Sequence, residues 1–208
     1  MTIVVHHLEN SRSQRVLWLL EELELAYEVR RYKRDPKTMF APPELKRVHP
    51  LGKSPVIEDE GMIVAETGAI IEYLVDKADG RLGPPPRREA ARRWRYFLHY
   101  AEGSLMPPLL LSFVISRLGP LGWPARKPVQ AMVDPHIDWL EMELAGRDWF
   151  AGDLFTAADV MMSFPLEAAR QLGALDERRP NLVDWLERIH ARPAYARALA
   201  KGGPYAYA

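Results

Sequence analysis

Hydrophobic and polar positions at the start of the chain alternate between strand-like and helix-like patterns. TIVVHHL (residues 2–8) is a short run of β-forming residues, and SQRVLWLLEEL (residues 13–23) carries an apolar stripe with helical spacing. YEVRRY (residues 27–32) alternates in the way expected of a strand with one covered face. The pattern therefore predicts a strand, a helix and a second strand in that order.

A second group of short elements follows, up to about residue 78. APPELKRV (residues 41–48) predicts a short helix that is entered through prolines. PVIED and MIVA predict a hairpin that turns at Glu60-Gly61, and TGAIIEYLVDKA (residues 67–78) predicts a helix. The order βαβ, helix, ββα indicates an α/β domain.

The rest of the chain has only helical patterns after the Gly- and Pro-rich stretch DGRLGPPPR (residues 79–87). Helices are predicted at 88–116, 129–145, 157–171 and 182–191, with a short one after Pro193. TAAD (residues 156–159) predicts a capping box at the start of the third of these helices. We therefore expect three regions, namely an α/β domain at 1–79, a linker at 80–87 and an all-helical domain at 88–208.

Composition narrows the chemistry that the chain can perform. The sequence contains 28 basic and 28 acidic residues, so nothing overall requires nucleic acid or an anionic membrane as a partner. It has no cysteine, which excludes disulfides, thiolate metal sites and catalysis by a protein thiol. The longest apolar stretch (residues 105–115) contains two prolines and is too short to span a bilayer, and the first residues lack a signal-peptide pattern. We expect a cytoplasmic protein.

Ser54-Pro55 stands at the mouth of a predicted strand, where a proline needs an explanation. A cis bond there would turn the chain sharply and leave the main chain of Ser54 able to pair with an extended peptide. The alternative is an ordinary trans turn, because only about 5–6% of X–Pro bonds in folded proteins are cis. The dipeptide alone favours the trans turn.

Glu66-Thr67 stands at the start of an apolar helix, where free N–H groups can hold a carboxylate. Glu66 could take an ammonium beside it, although a plain helix cap is the alternative. Lys53 could hold a second carboxylate, although a solvated surface lysine is the alternative. A ligand with an α-amino-acid head, a peptide middle and a terminal carboxylate would satisfy all three positions, and glutathione is such a molecule.

The residues around these positions resemble the cytosolic glutathione transferases. HPLGKSPVI followed by ET is similar to the family pattern Asn-Pro-x-Gly-Lys-Val-Pro and Glu-Ser. The stretch SRSQRVLWLLEELELAYEVRRYKRD is more similar still to the yeast-type and bacterial transferases that use serine. TAAD resembles the family's capping box, and PNLVDWLERIHARPAY resembles its C-terminal helices. The resemblance covers nearly the whole chain.

This resemblance implies a thioredoxin-like N-terminal domain, an all-helical C-terminal domain and a homodimer. Carried over by motif, Pro55 would be the cis-proline and Ser54 would pair its main chain with the cysteinyl unit of glutathione. Glu66 and Thr67 would bind the γ-glutamyl end, and Lys53 would lie near the glycyl carboxylate. His49 stands where the family commonly has Asn, and its place near the glycyl end is a weaker assignment.

The sulfur nucleophile must come from the ligand, because the turn after the first strand, LENSRSQR, contains no cysteine. Ser11 precedes Arg15 by four residues, a spacing similar to that of the serine-type transferases, so we assign thiolate stabilisation to Ser11. Ser13 directly precedes the helical stripe, and we expect it to be the N-cap. Arg12 is a further candidate because a nearby cation favours a thiolate, and Asn10 is a weaker one.

The reaction partner should be a hydrophobic electrophile or a peroxide, held in an apolar pocket. Tyr100, Phe113 and Trp123 are the aromatic candidates for that pocket, with core packing as the alternative for each. His6-His7 suggests a metal site, but adjacent strand residues face opposite sides and cannot easily share one ion. The rival function is a non-catalytic binding protein of the same fold.

Overall fold

The structure, a computed structural model, describes residues 2–207. The chain forms two compact units. One contains residues 2–83 together with 190–206, and the other contains residues 84–189 together with Tyr207. The sheet-containing unit thus includes the last helix, which the sequence placed with the helical domain.

The first unit is built on a four-stranded sheet, with strands β1 (Ile3–Leu8), β2 (Tyr27–Tyr32), β3 (Val56–Asp59) and β4 (Met62–Ala65). The strand order is β2-β1-β3-β4. β1 is parallel to β2 and antiparallel to β3, and β3 pairs with β4 as the predicted hairpin. β1 is buried along most of its length because it lies in the interior of the sheet.

Four helices complete this unit, namely α1 (Ser13–Glu22), α2 (Leu45–Val48), α3 (Thr67–Lys77) and α9 (Pro193–Gly202). The apolar stripe of α1 is fully buried, as its helical spacing predicts. The predicted order βαβ, helix, ββα is confirmed.

An ion cluster joins α9 to α1. The Glu21 carboxylate accepts hydrogen bonds from Arg197 at 2.7 Å, from Lys201 at 2.6 Å and from the Tyr27 hydroxyl at 2.8 Å. Burial acts to raise the pKa of Glu21, but these three donors outweigh it and hold the pKa at about 2. The C-terminal helix is therefore tied to α1 by charge as well as by packing.

The second unit is helical, with α4 (Arg88–Tyr100), α5 (Met106–Arg117), α6 (Trp123–Leu144), α7 (Ala157–Gln171) and α8 (Pro180–His190). A π-helical turn, Ala101–Leu105, separates α4 from α5, where the sequence predicted one uninterrupted helix. Within residues 84–189 the structure has no strand, only an isolated bridge between Trp149 and Gly152. The predicted all-helical character is confirmed, and no helix in residues 2–207 is long and apolar enough to cross a membrane.

The start of α6 differs from its prediction, whereas the start of α7 agrees with it. α6 begins at Trp123 and not at Val129, because Pro124 suits a first helical turn and Pro128 is tolerated inside the helix. The capping box of α7 is present as predicted. Asp159 accepts from the Thr156 amide at 2.9 Å, and its other oxygen accepts from the Phe150 amide at 2.9 Å.

Candidate functional site

Three chain segments meet at one end of the sheet. In the register of the strands, His6 pairs with Val56 and Val56 pairs with Ala65. Three segments therefore lie beyond the same row of the sheet. They are the turn after β1 (residues 9–12), the Lys53–Pro55 segment before β3, and Glu66-Thr67 after β4. The fold thus brings together the three groups of residues that the sequence singled out separately.

Ser54 is joined to β1 by its side chain. The Ser54–Pro55 bond is cis, as the family pattern implies, and Pro55 is buried. The Ser54 hydroxyl donates to the His6 carbonyl at 2.7 Å and accepts from the Leu8 amide at 3.2 Å. Among residues 2–207, no hydrogen bond involves the Ser54 amide or carbonyl. The sequence analysis assigned a role only to the main chain of Ser54, and it did not predict that the hydroxyl would join this residue to β1.

Glu66 and Thr67 begin α3 without capping it. Thr67 is the first helical residue and is buried, and Glu66 occupies the N-cap position with no side-chain cap hydrogen bond. Glu66 therefore stands where the helix-cap alternative placed it, but its side chain makes no capping hydrogen bond. Glu66 has φ +72° and ψ +124°, a backbone conformation that costs energy for a non-glycine residue and that concentrates at functional sites. An exposed carboxylate thus stands beside free helix N–H groups, an arrangement that suits a zwitterionic head group.

Lys53 and His49 lie on the approach to Ser54. Lys53 is exposed and makes no ion pair among the residues described. The His49 ring is half-buried, and its Nδ1 accepts from the Leu51 amide at 3.4 Å. Gly52 ends this turn with φ +58° and a hydrogen bond to the His49 carbonyl at 2.8 Å. His49 therefore shapes the turn that presents Lys53.

The turn after β1 contains a buried pair of hydroxyls. Ser11 Oγ donates to the Leu8 carbonyl at 2.7 Å and lies 2.8 Å from Ser13 Oγ. Ser13 is the first residue of α1, and Arg12, which is half-buried, occupies the N-cap position without a side-chain cap bond. The prediction that Ser13 caps α1 is wrong, because its hydroxyl points back toward β1 and bonds there.

His7 is the partner that holds Ser13. Ser13 Oγ lies 2.8 Å from His7 Nδ1, and both side chains are buried. Burial, and next to it the charge of Arg31, lower the pKa of His7 to about 4, so the ring is neutral near pH 7. The sequence analysis weighed His7 only as a metal ligand. The alternation of side chains along a strand already indicated that His7 and His6 face opposite sides of the sheet and have different partners.

Asn10 is held by hydrogen bonds from two distant parts of the chain. It has φ +49°, and its main-chain carbonyl accepts from the Arg34 guanidinium at 3.1 Å. Its side-chain Oδ1 accepts from the Ala206 amide at 2.8 Å, which leaves Nδ2 as the donor end of that amide. The Arg34 guanidinium also bonds to the Glu9 carbonyl at 3.2 Å.

The aromatic candidates for an electrophile pocket lie in the helical unit in different environments. Tyr100 is buried, and its hydroxyl lies 2.6 Å from His136 Nδ1. Phe113 is 43% exposed and Trp123 is 62% exposed. They belong to a group of exposed apolar side chains that also contains Leu110, Leu111, Val114, Leu118 and Leu121.

The structure brings no metal-binding group together within residues 2–207. His6 bonds instead through Nδ1 to the Tyr32 hydroxyl at 2.9 Å. The candidate site contains serine and threonine hydroxyls, the side-chain amide of Asn10, Lys53, the Glu66 carboxylate and the N-terminus of α3.

Most of the chain matches two known domain families. Residues 2–76 match the family described as "Glutathione S-transferase, N-terminal domain", and residues 111–188 match "Glutathione S-transferase, C-terminal domain". Glutathione S-transferase 1 of Saccharomyces cerevisiae is 36% identical, with 96% of this chain and 94% of that protein covered.

Solved structures agree. A glutathione S-transferase from Actinobacillus pleuropneumoniae is 36% identical with a TM-score of 0.88, covering 99% of this chain and 95% of that one. A family member from Pseudomonas fluorescens, solved with two glutathione molecules bound, is 26% identical with a TM-score of 0.80, covering 95% and 92%. From these matches together with the fold, we conclude that the chain belongs to the glutathione S-transferase family.

Proposed function

We propose that the protein is an active glutathione transferase that binds glutathione across the end of the sheet described above. The observation that carries this proposal is the convergence of Ser54, Glu66-Thr67 and the turn after β1 beyond one row of the sheet. Each group suits a different part of the tripeptide. A transferase also fits a chain that has no cysteine, because the ligand supplies the thiol.

The γ-glutamyl end of glutathione would dock at the start of α3. Its carboxylate would accept hydrogen bonds from the first N–H groups of the helix and from the Thr67 hydroxyl. The Glu66 carboxylate would pair with its ammonium group. Neither side chain is used for capping, which leaves both available for this role.

The cysteinyl unit would pair with the main chain of Ser54 as a short added strand. The Ser54 hydroxyl is already bonded to His6 and Leu8, so only the amide and the carbonyl of Ser54 are available for the ligand. Lys53, with His49 shaping its turn, would neutralise the glycyl carboxylate. Pro55 holds the turn that presents these groups.

The thiol would then face the turn after β1. Lowering a thiol pKa of ~8.5 by two units requires roughly 2.7 kcal/mol of selective stabilisation of the thiolate, which charge-assisted hydrogen bonds can provide. We assign this to Ser11, whose hydrogen would have to move from the Leu8 carbonyl to the sulfur. Arg12 would add positive charge, and Asn10 Nδ2 is the competing donor.

The thiolate would attack a hydrophobic electrophile or reduce a peroxide, as expected of a detoxification enzyme in the cytoplasm. Phe113 and Trp123 are exposed apolar side chains that suit an electrophile pocket, with Tyr100 as the buried third candidate. The family resemblance also supports a homodimer. Gel filtration with light scattering would test that assembly.

The alternative is a non-catalytic binding protein of the same family. Three assays on the full chain separate the possibilities, namely calorimetric titration with glutathione, conjugation of glutathione to a chloronitrobenzene, and reduction of a peroxide by glutathione. Binding with conjugation supports the transferase, and binding without any conjugation or peroxide reduction supports the alternative. Absence of glutathione binding would reject both. Ser11→Ala and Asn10→Ala, assayed side by side, identify the thiolate donor from the larger loss of turnover.

A further inference from the structure

The C-terminal segment from Gly202 to Ala206 makes two separate contacts, one with the turn after β1 and one with His7 in β1 itself. At the first point, the Ala206 amide donates to Asn10 Oδ1 at 2.8 Å. At the second, Gly202 lies against the ring of His7, so close that a Cβ on Gly202 would lie 3.4 Å from His7 Nε2. These contacts involve both candidates for thiolate stabilisation. Asn10 is bonded directly, and Ser11 is connected to His7 through the hydroxyl of Ser13.

Gly202 can approach His7 because it has no side chain. A Cβ at this position would lie 2.6 Å from Gln14 Oε1, 3.0 Å from Leu17 Cδ1 and 3.4 Å from His7 Nε2. The last distance shows that Nε2 is the ring nitrogen on the side of Gly202.

The second contact continues through a hydrogen-bonded series of side chains. His7 Nδ1 lies 2.8 Å from Ser13 Oγ, and Ser13 Oγ lies 2.8 Å from Ser11 Oγ. The Ser11 hydroxyl donates to the Leu8 carbonyl at 2.7 Å, and Ser13 Oγ lies 3.3 Å from the same oxygen. The position of the Ser11 hydroxyl is thus linked through Ser13 and His7 to the end of α9.

His7 itself is not the proton acceptor for the thiol. Its pKa is about 4, whereas a free thiol has a pKa of ~8.5, so a proton passed along this chain to His7 would be held far too weakly. The neighbouring Arg31 charge acts in the same direction. The role that remains for the buried ring is to fix the geometry of Ser13.

We propose that residues 202–206 position the turn after β1 for catalysis, with His7 and Ser13 as the positioning residues that connect Gly202 to Ser11, and with the Ala206 amide holding Asn10. The inference rests on the proposed transferase function. It does not depend on whether Ser11 or Asn10 is the thiolate donor, because the segment holds both residues.

The test compares four variants of the full chain with the wild type, namely Ser13→Ala, Ala206→Pro, Ala206→Gly and Ser163→Ala. Ser13→Ala removes the connection to His7, and Ala206→Pro removes the N–H that holds Asn10. Ser163→Ala is the control, because it also removes a buried serine hydroxyl, one that bonds only to Val160 O within α7. We measure kcat and KM for glutathione in the chloronitrobenzene assay, the ultraviolet absorbance of bound thiolate against pH, and the melting temperature.

Ser13→Ala and Ala206→Pro are each expected to lower kcat about tenfold and to raise the pKa of the bound thiol by about one unit. KM for glutathione should change less than about twofold, because the contacts to its two ends are untouched. Ala206→Gly, which keeps the N–H, should restore most of the lost turnover. Ser163→Ala should leave kcat and the thiol pKa unchanged even where it lowers the melting temperature.

The proposal is overturned if Ser13→Ala and Ala206→Pro change kcat and the thiol pKa no more than Ser163→Ala does. It is also overturned if they change only the melting temperature, which would make both contacts purely structural. Failure of the proposed function gives a different result. In that case the wild type does not bind glutathione, or it binds glutathione without any turnover.

Discussion

Ser54 Oγ accepts a hydrogen bond from the Leu8 amide at 3.2 Å, and it donates another to the His6 carbonyl at 2.7 Å. The main-chain pairing of β1 with β3 ends at His6 and Val56, and the Ser54 side chain continues it for one more step. The carbonyl of the same Leu8 accepts from Ser11 at 2.7 Å. Leu8 therefore connects the peptide-binding and thiol-binding parts of the proposed site.

The first prediction concerns stability. Ser54→Ala leaves the Leu8 amide and the His6 carbonyl without their partner, and we expect it to lower the free energy of unfolding by about 1–3 kcal/mol. Ser116→Ala is the matched control, because its exposed hydroxyl bonds only to the Phe113 carbonyl. Urea denaturation measures both. A Ser54→Ala loss no greater than that of Ser116→Ala would show that the hydroxyl does not support the end of the strand.

The second prediction concerns recognition of the ligand. Glu66→Gln keeps the shape of the side chain but removes the charge that we pair with the glutathione ammonium. We expect the affinity for glutathione to fall about tenfold, or ~1.4 kcal/mol, in a calorimetric titration. Glu72→Gln, an exposed position on the same helix, should bind as the wild type does. Equal affinities for the two variants would contradict the placement of the γ-glutamyl end.

The third prediction gives a pH dependence for the Glu21 cluster. Its pKa is about 2 in the folded chain and about 4.5 when unfolded, so the stabilisation is complete above pH ~4.5 and is lost as the pH falls toward ~2. At pH 7 we expect Glu21→Gln to cost about 1–2 kcal/mol, a discounted value because Arg197 and Lys201 are half-exposed.

The difference between wild type and Glu21→Gln should shrink as the pH is lowered through this range. Denaturation curves at several pH values measure the difference, and Glu187→Gln, at an exposed position of α8, is the control. A difference that stayed constant down to pH 3 would mean that the ionised carboxylate does not stabilise the packing of α9 on α1.

The fourth prediction concerns the capping box of the helical unit. Asp159 receives hydrogen bonds from the Thr156 amide and hydroxyl, from the Phe150 amide and from the Trp185 indole. Asp159→Asn keeps the size of the side chain but loses one accepting oxygen, and we expect it to cost about 1–3 kcal/mol. Asp153→Asn makes the same change at a side chain that is 88% exposed. Thermal melts of equal midpoint for the two variants would contradict this role.

Local sequence patterns predicted those parts of the fold that local physics determines. The hairpin at Glu60-Gly61, the all-helical second part and the capping box all follow from short-range spacing and turn chemistry. The start of α6 was placed six residues too late because a Pro-rich first turn resembles a loop in sequence. A prediction from local patterns fails where the same residues, such as these prolines, are common in two different local structures.

The candidate site shows the other limit. The Lys53–Pro55 segment and Glu66-Thr67 could be singled out because their residue types are unusual where they stand. The roles of the Ser54 and Ser13 hydroxyls could not be predicted in this way. Each role depends on a partner distant in the fold or on the direction in which the chain turns. His7 was assigned its partner only when the structure placed Ser13 Oγ 2.8 Å from Nδ1. Contacts of this kind depend on the register of the sheet.

A crystal structure of the protein with glutathione tests the central claim most directly. We predict that the cysteinyl main chain pairs with Ser54, that the γ-glutamyl group meets Glu66 and Thr67, and that the sulfur lies within hydrogen-bonding distance of the turn after β1. A complex with the tripeptide bound elsewhere, or with its sulfur turned away from Asn10, Ser11 and Arg12, would contradict the account.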